Sequence, residues 1–147
     1  MAETRQFCTF TVHDWLLGVD VRDVQEVIHD QVMTNVPLAS NVIGGLINLR
    51  GQVVTVLDLR RRFGLNASSL RRAPMNVVMR IDRELISFLV DEIGEVVEAA
   101  AEAIKPPPLT IDKEIQRFIS GVYHGNGQML GILDLEKTMS FAHHDTV

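Results

Sequence analysis

Residues 42–63 recur without a gap at 118–139, and this internal repeat constrains the fold more than any other feature of the 147-residue chain. Val42-Ile43-Gly44-Gly45 through Gly51-Gln52 to Leu57-Asp58-Leu59 and Phe63 aligns with Phe118-Ile119-Ser120-Gly121 through Gly127-Gln128 to Leu133-Asp134-Leu135 and Met139. The offset is constant, since Gly45 and Gly121, like Asp58 and Asp134, stand 76 positions apart. Seven of the 22 aligned pairs are identical, where composition alone supplies on the order of one or two. They are Ile43/Ile119, Gly45/Gly121, Gly51/Gly127, Gln52/Gln128, Leu57/Leu133, Asp58/Asp134 and Leu59/Leu135. Glycines, turn residues and aliphatics repeat while no reactive group does, so architecture is duplicated and not an active site.

A weaker echo runs at an offset of 69, pairing Leu16 with Leu85, Val24 with Ile93, Glu26 with Glu95, Val27 with Val96 and Ile28 with Val97. Each half thus carries a hairpin, an apolar segment, and then the glycine–Leu-Asp-Leu unit. The expected fold is mainly β, with two similar lobes of short strands and a few short helices. Closing each lobe into a small barrel removes its exposed strand edges. The lobes are expected at about 7–70 and 75–140, intertwined in one domain, with a polar tail at 141–147.

Along the chain, Phe7 to Val12 and Leu16 to Val19 read as strands joined around His13-Asp14-Trp15. Val21, Val24 and Val27-Ile28 fall at intervals of three and four behind Asp20, which predicts a short amphipathic helix running into a strand. Val36-Pro37 demands extended backbone. Ser40 to Leu46 predicts a helical turn entering a strand, and Arg50-Gly51-Gln52 a tight turn before the strand Val53 to Leu57. Asp58 and Asp134 are placed to cap Leu59 to Phe63 and Leu135 to Met139. Leu65 to Pro74 reads as a loop. Met75 to Ile81 and Leu85 to Val90 form a hairpin about Asp82-Arg83, and Ile93 to Val97 continues as strand. Ala99 to Ala103 is helix-compatible, and Lys105-Pro106-Pro107-Pro108 is a stiff connector. Phe118 to Tyr123 and Gln128 to Leu133 form the last hairpin, turning through His124-Gly125-Asn126-Gly127. With only 5% aromatic residues the core is expected to be Val, Leu and Ile.

A net charge of −5 argues against nucleic acid as a partner, because phosphate binding needs clustered Lys and Arg. Arg60-Arg61-Arg62 with Arg71-Arg72 is the one basic run, read as a solvated helix end and loop. No apolar run approaches a membrane span and Cys8 is the single cysteine, so a soluble cytoplasmic protein of a reducing compartment is expected. Cys8 itself reads as a small buried hydrophobe. His13, His29, His124 and the pair His143-His144 lack the spacing of a metal site. Asp91, Glu92, Glu95 and Glu98 read as the solvated face of a strand. Catalytic constellations and cofactor loops are missing, so no enzyme, cofactor or metal is expected. Glu26 and Arg50 stand out as charges in aliphatic surroundings that need exposure or partners.

The run Gly18-Val19-Asp20-Val21-Arg22-Asp23-Val24-Gln25-Glu26-Val27, then Val36-Pro37, then Gly45-Leu46-Ile47-Asn48-Leu49-Arg50-Gly51-Gln52-Val53-Val54-Thr55-Val56-Leu57-Asp58-Leu59, resembles the chemotaxis coupling proteins of the CheW family. Leu89-Val90-Asp91-Glu92-Ile93, Ile104-Lys105-Pro106-Pro107-Pro108 and Ile119-Ser120-Gly121 through Ile132-Leu133-Asp134-Leu135-Glu136-Lys137 agree. The resemblance covers about Phe7 to Met139, and Asn-Leu-Arg-Gly-Gln with the downstream Leu-Asp-Leu is its most specific part.

What the resemblance implies is two five-stranded SH3-like β-barrels packed around a shared core. It further implies a non-catalytic adaptor that bridges chemoreceptor (methyl-accepting chemotaxis protein) cytoplasmic tips, which are helical hairpins, to the regulatory domain of the histidine kinase CheA. That domain shares the fold, so the two can alternate in rings. The alternative it leaves is a coupler of a pilus-motility or other receptor–kinase pathway. The chain ends after the second lobe, which implies no appended receiver domain. Recruitment to membrane receptor arrays would run through protein partners, without direct membrane insertion. The family pattern makes Glu26 and Arg50 an acid–base pair in a semi-apolar setting beside the receptor-facing groove. Val24, Val27, Ile28, Ile93 and Val96 are its expected aliphatic anchors, in the helix-in-groove mode. Kinase contacts are expected at barrel ends, where turns expose Gly51 and Gly125.

Overall fold

Valine, isoleucine and threonine crowd the segments between the glycines and turn pairs, and such side chains fit a pleated, half-buried surface better than a helix. The computed structural model describes residues 3–29, 31–65, 73–125 and 127–140. Among them ten strands form: β1 (Thr4–Val12), β2 (Trp15–Asp20), β3 (Val24–His29), β4 (Ile43–Leu49), β5 (Gln52–Asp58), β6 (Met75–Ile81), β7 (Glu84–Val90), β8 (Glu92–Ala100), β9 (Ile119–Gly125) and β10 (Gln128–Leu133). Three short helices accompany them: α1 (Leu59–Arg62), α2 (Lys113–Gln116) and α3 (Leu135–Met139). The mainly β, two-lobed architecture expected from the repeat is the one found.

The strands make two five-stranded sheets, ordered β3-β6-β7-β5-β4 and β8-β1-β2-β10-β9. Each order maps onto the other when every strand is replaced by the one five places away. The match extends to register. Thr55 faces Ile86 in the parallel β5–β7 ladder, and Gly131 faces Leu17 in the parallel β10–β2 ladder. Those four residues are the 76- and 69-residue offsets in three dimensions.

The lobes are not the sequence halves. Strands β3 to β7 build a contiguous lobe, whereas β1 and β2 with β8 to β10 build a split lobe. A boundary between 70 and 75 therefore divides the repeats but not the sheets. Each repeat donates its first hairpin to the lobe made by the other's last three strands, so the chain crosses between lobes at Val21–Asp23 and again at Asp91.

This exchange explains the apolar runs of the central strands, which are buried on both faces. Ile47, Leu49, Val54, Val56, Val78 and Leu89 fill the contiguous lobe. Phe7, Ala99, Leu130 and Ile132 fill the split one. The alternate side chains Leu57, Val77, Met79, Phe88 and Val90 meet Phe10, Val12, Leu17, Val19, Val122 and Leu133 in a larger core between the sheets. Fully burying each such side chain stabilises the fold by about 1.5–3 kcal/mol, so the shared core welds the lobes into one unit. Phe7, Phe10, Phe63, Phe88 and Phe118 are all buried, which amends the expected aliphatic core. A few aromatics supply much of the packed volume because each ring is large.

Some local expectations needed correcting. Val21–Asp23 forms only a 3-10 turn, with Asp20 accepting from the Arg22 N–H, and β3 begins at Val24. Strand pairing with β6 overrides the helical spacing there. The chain enters β4 through a turn at 41–42, and β8 runs on to Ala100 because Ala99 pairs with Arg5, leaving a 3-10 turn at Ala101–Ala103. The Asp58 and Asp134 caps form as expected, accepting from Arg60, Arg61 and Lys137 N–H groups. In the last hairpin Gly125 already pairs with Gln128, so strand pairing runs further than expected. Most of the Leu65 to Pro74 loop with Arg71-Arg72, Asn126, and the 141–147 tail with His143-His144 lie outside the described residues.

Candidate protein-interaction site

The candidate site starts from a two-residue turn. Leu49 pairs with Gln52 across β4–β5, and Arg50 and Gly51 between them have φ of 50° and 85°. Two successive left-handed residues are the signature of a type I′ turn, whose backbone twist suits a hairpin. Gly51 adopts this geometry freely, whereas Arg50 pays a conformational penalty. The Asn48 side chain compensates in part, its Oδ1 accepting from the Gly51 N–H at 2.9 Å.

The turn aims Arg50 across the lobe. Its Nη2 donates to Glu26 Oε2 on β3. Strands β3 and β4 are the two edges of one sheet, which when flat would lie roughly 19 Å apart. A direct ion pair between them requires the sheet to curl round. The Thr34–Leu46 bridge does the same for the backbone, joining the segment after β3 to β4, and Lys105–Val122 is its counterpart in the split lobe.

The pair forms as expected, but its setting differs. The Arg50 side chain is 68% exposed and Glu26 24%, so the guanidinium stands mainly in water and not among aliphatics. Beside it, Val27 is exposed at 38%. Val24 is half-buried against the shared core and Ile28 against the core of the contiguous lobe. Ile93 and Val96 lie exposed on β8, the edge of the other lobe. The structure thus brings Glu26 to Arg50 and lays the five aliphatic candidates on two edge strands related by the internal symmetry. Gly51 is exposed with open space where a side chain would go, while Gly125 is half-buried with a Cβ position 2.8 Å from the Tyr123 ring.

Two readings of charge are overturned. Arg60 is buried and paired with Asp91, so the basic run is not wholly solvated, nor is the acidic one. Arg62 donates to the Thr138 and Lys137 carbonyls that end α3 and lies over the Phe118 ring, 4.7 Å from its centroid. Position in the fold decides these pairings, and the one sequence cue is that Arg60 and Arg62 follow the Asp58 cap directly. Glu92, Glu95 and Glu98 are exposed as expected. The acidic residues do not converge, and among the described residues no group of three His, Cys, Asp or Glu is arranged to hold a metal ion. Cys8 is half-buried, and burial first, then the Asp20 charge, pushes its thiol above the ordinary range. No helix among the described residues is long and apolar enough to cross a membrane.

Comparison with known proteins adds one consistent finding. The profile of the CheW-like domain matches residues 6–142. Chemotaxis protein CheW of Treponema pallidum is 26% identical over 142 residues, which is 94% of this chain and 84% of that one. Chemotaxis protein CheW of Klebsiella aerogenes is 27% identical over 136 residues, 92% of this chain and 82% of that one. The crystal structure of the scaffolding protein TtCheW from Thermoanaerobacter tengcongensis superposes with a TM-score of 0.79 at 30% identity, covering 92% of this chain and 87% of that one.

Proposed function

The chain belongs to the CheW-like domain family, and from that membership we propose that it is a non-catalytic chemotaxis adaptor coupling chemoreceptor cytoplasmic tips to the histidine kinase CheA. The observation that carries the reading is the family match over residues 6–142, which spans both lobes and both copies of the repeat.

The receptor helix lies against the edge strands, with Val24, Val27 and Ile28 on one side and Ile93 and Val96 on the other as apolar anchors. Glu26 and Arg50 set its orientation, because charges at an interface rim govern encounter and register more than affinity. Kinase contacts fall at the hairpin ends around Gly51 and Gly125. The shared core suits this work: two partners held by one welded pair of lobes keep a fixed mutual geometry. The protein acts in the cytoplasm and joins membrane receptor arrays through these partners.

Mixing the protein with a receptor cytoplasmic fragment and CheA, followed by gel filtration, tests the proposal. A co-migrating ternary complex is expected. Retention of neither partner at about micromolar concentration defeats the adaptor reading.

A further inference from the structure

The internal two-fold turns the Glu26–Arg50 pair into a template for a second site. Val24 faces Met79 and Val27 faces Val77 on β3–β6, as Ile93 faces Phe10 and Val96 faces Cys8 on β8–β1. A bulge interrupts both ladders between those pairs. Glu95 is therefore the counterpart of Glu26.

What the second site lacks is the cation. The position 76 residues beyond Arg50 is Asn126 in the sequence. The Glu95 main-chain carbonyl accepts from Thr9 Oγ1, but its carboxylate has no hydrogen bond or ion pair among the described residues. The strip also exposes its aliphatic side chains more than its twin does. Val96 is 58% exposed where Val27 is 38%, and Ile93 is 38% exposed where Val24 is half-buried. Glu92 and Glu98 stand exposed on the same edge strand, so the negative potential around Glu95 is reinforced and not cancelled.

We propose that the β8 edge docks a receptor helix that offers aliphatic side chains to Ile93 and Val96 and an arginine to Glu95, supplying from outside the guanidinium that Arg50 supplies to Glu26 within the chain. The proposal rests on the adaptor reading and names the chemistry of its partner at this edge. Arginine suits the position because its planar fork matches a carboxylate and it is less strongly hydrated than lysine. The flanking carboxylates steer a cationic segment toward the strip before contact.

The test measures binding of the full-length protein and its Glu95→Arg, Glu95→Gln and Arg50→Glu variants to a receptor cytoplasmic fragment and, separately, to CheA, at low and high salt. Circular dichroism confirms folding, which substitution of an exposed carboxylate leaves intact. Glu95→Arg is expected to weaken receptor binding by about tenfold at low salt, with a smaller loss for Glu95→Gln, a narrower gap at high salt and unchanged CheA binding. An arginine-to-glutamate change in the receptor helix should restore binding to Glu95→Arg. Receptor binding by Glu95→Arg within about twofold of the unmodified protein, while Arg50→Glu still weakens it, overturns this proposal and leaves the adaptor reading standing. A loss confined to CheA overturns it too. Failure of the unmodified protein to bind the receptor at all removes the adaptor reading and this proposal together.

Discussion

The Arg60 guanidinium holds the Asp91 carboxylate by two parallel hydrogen bonds, Nε to Oδ1 at 2.7 Å and Nη2 to Oδ2 at 2.6 Å, with the side chains only 5% and 13% exposed. Asp91 sits where the chain crosses from β7 of the contiguous lobe to β8 of the split lobe. Its Oδ2 also accepts from the His13 N–H at 2.8 Å, in the β1–β2 turn. One carboxylate therefore ties a helix of one lobe to a hairpin of the other.

Removing that charge strands a buried guanidinium. Asp91→Asn should cost about 3–5 kcal/mol, while the double variant Arg60→Met/Asp91→Leu should lose markedly less, because no charge is left buried. Urea denaturation gives both values. A double variant no better than the single one would mean that the contact with His13, and not the ion pair, carries the stability.

Glu26 and Arg50 form the opposite kind of pair. With Arg50 mainly in solvent, screening limits the interaction, and Arg50→Glu should change folding stability by no more than about 1 kcal/mol. Its effect should fall on receptor binding instead, with Glu26→Arg in the same chain partly restoring what Arg50→Glu loses. Strictly additive losses in the double-mutant cycle would show that the side chains act independently.

The repeat was legible because most of its identities that carry a turn or a cap serve a local rule. Asp58 and Asp134 cap helices, and Gly51 and Gly127 take the positive φ of hairpin turns. Gly45 and Gly121 permit close approach: a Cβ at Gly45 would lie 2.8 Å from the Thr34 carbonyl oxygen, and one at Gly121 2.9 Å from Ile104. These are the points where each lobe's edge receives its connecting segment. The identity of Gln52 and Gln128 across the repeat, by contrast, finds no physical account in the structure. What the sequence did not reveal is relational. Hairpin exchange leaves every local pattern unchanged, so spacing could not assign strands to lobes. Whether Arg60 is buried while Arg50 is exposed depends on which strand each side chain faces, and both look alike as arginines near a turn.

Acid should act through Asp20. Hydrogen bonding from the Arg22 side chain holds its carboxyl below the ordinary range, against the opposing pull of burial. A carboxyl depressed in the folded state contributes stability above its unfolded pKa and loses it as pH falls toward the folded value. The stability gap between the unmodified protein and Asp20→Asn should therefore be constant near neutrality and shrink below about pH 4. Urea midpoints across a pH series check this. A gap that widens on acidification would mean that Asp20 acts by some route other than its charge.

Asn76 Nδ2 is the one buried side-chain polar atom without a hydrogen-bond partner among the described residues. Asn76 and Ser87 are both fully buried inside the contiguous lobe, where Ser87 Oγ donates to Asn76 Oδ1 at 2.7 Å. The 69-residue offset places Phe7 and Gly18 at the same positions of the split lobe, both buried, and a Cβ on Gly18 would come within 3.2 Å of Leu130 Cδ1 and 3.3 Å of Phe7 Cβ. One fold therefore solves one packing problem twice, once with an aromatic and once with a half-satisfied polar pair. An unsatisfied buried amide costs about 1–3 kcal/mol, and removing one partner of a buried bond is worse than replacing both with apolar groups. Ser87→Ala should therefore destabilise by about 1–3 kcal/mol. Asn76→Leu/Ser87→Ala should be at least as stable as the unmodified protein, since leucine approximates the asparagine shape and leaves nothing unpaired. Denaturation curves for the three proteins decide the matter, and a double variant weaker than Ser87→Ala would show that the amide is satisfied in solution.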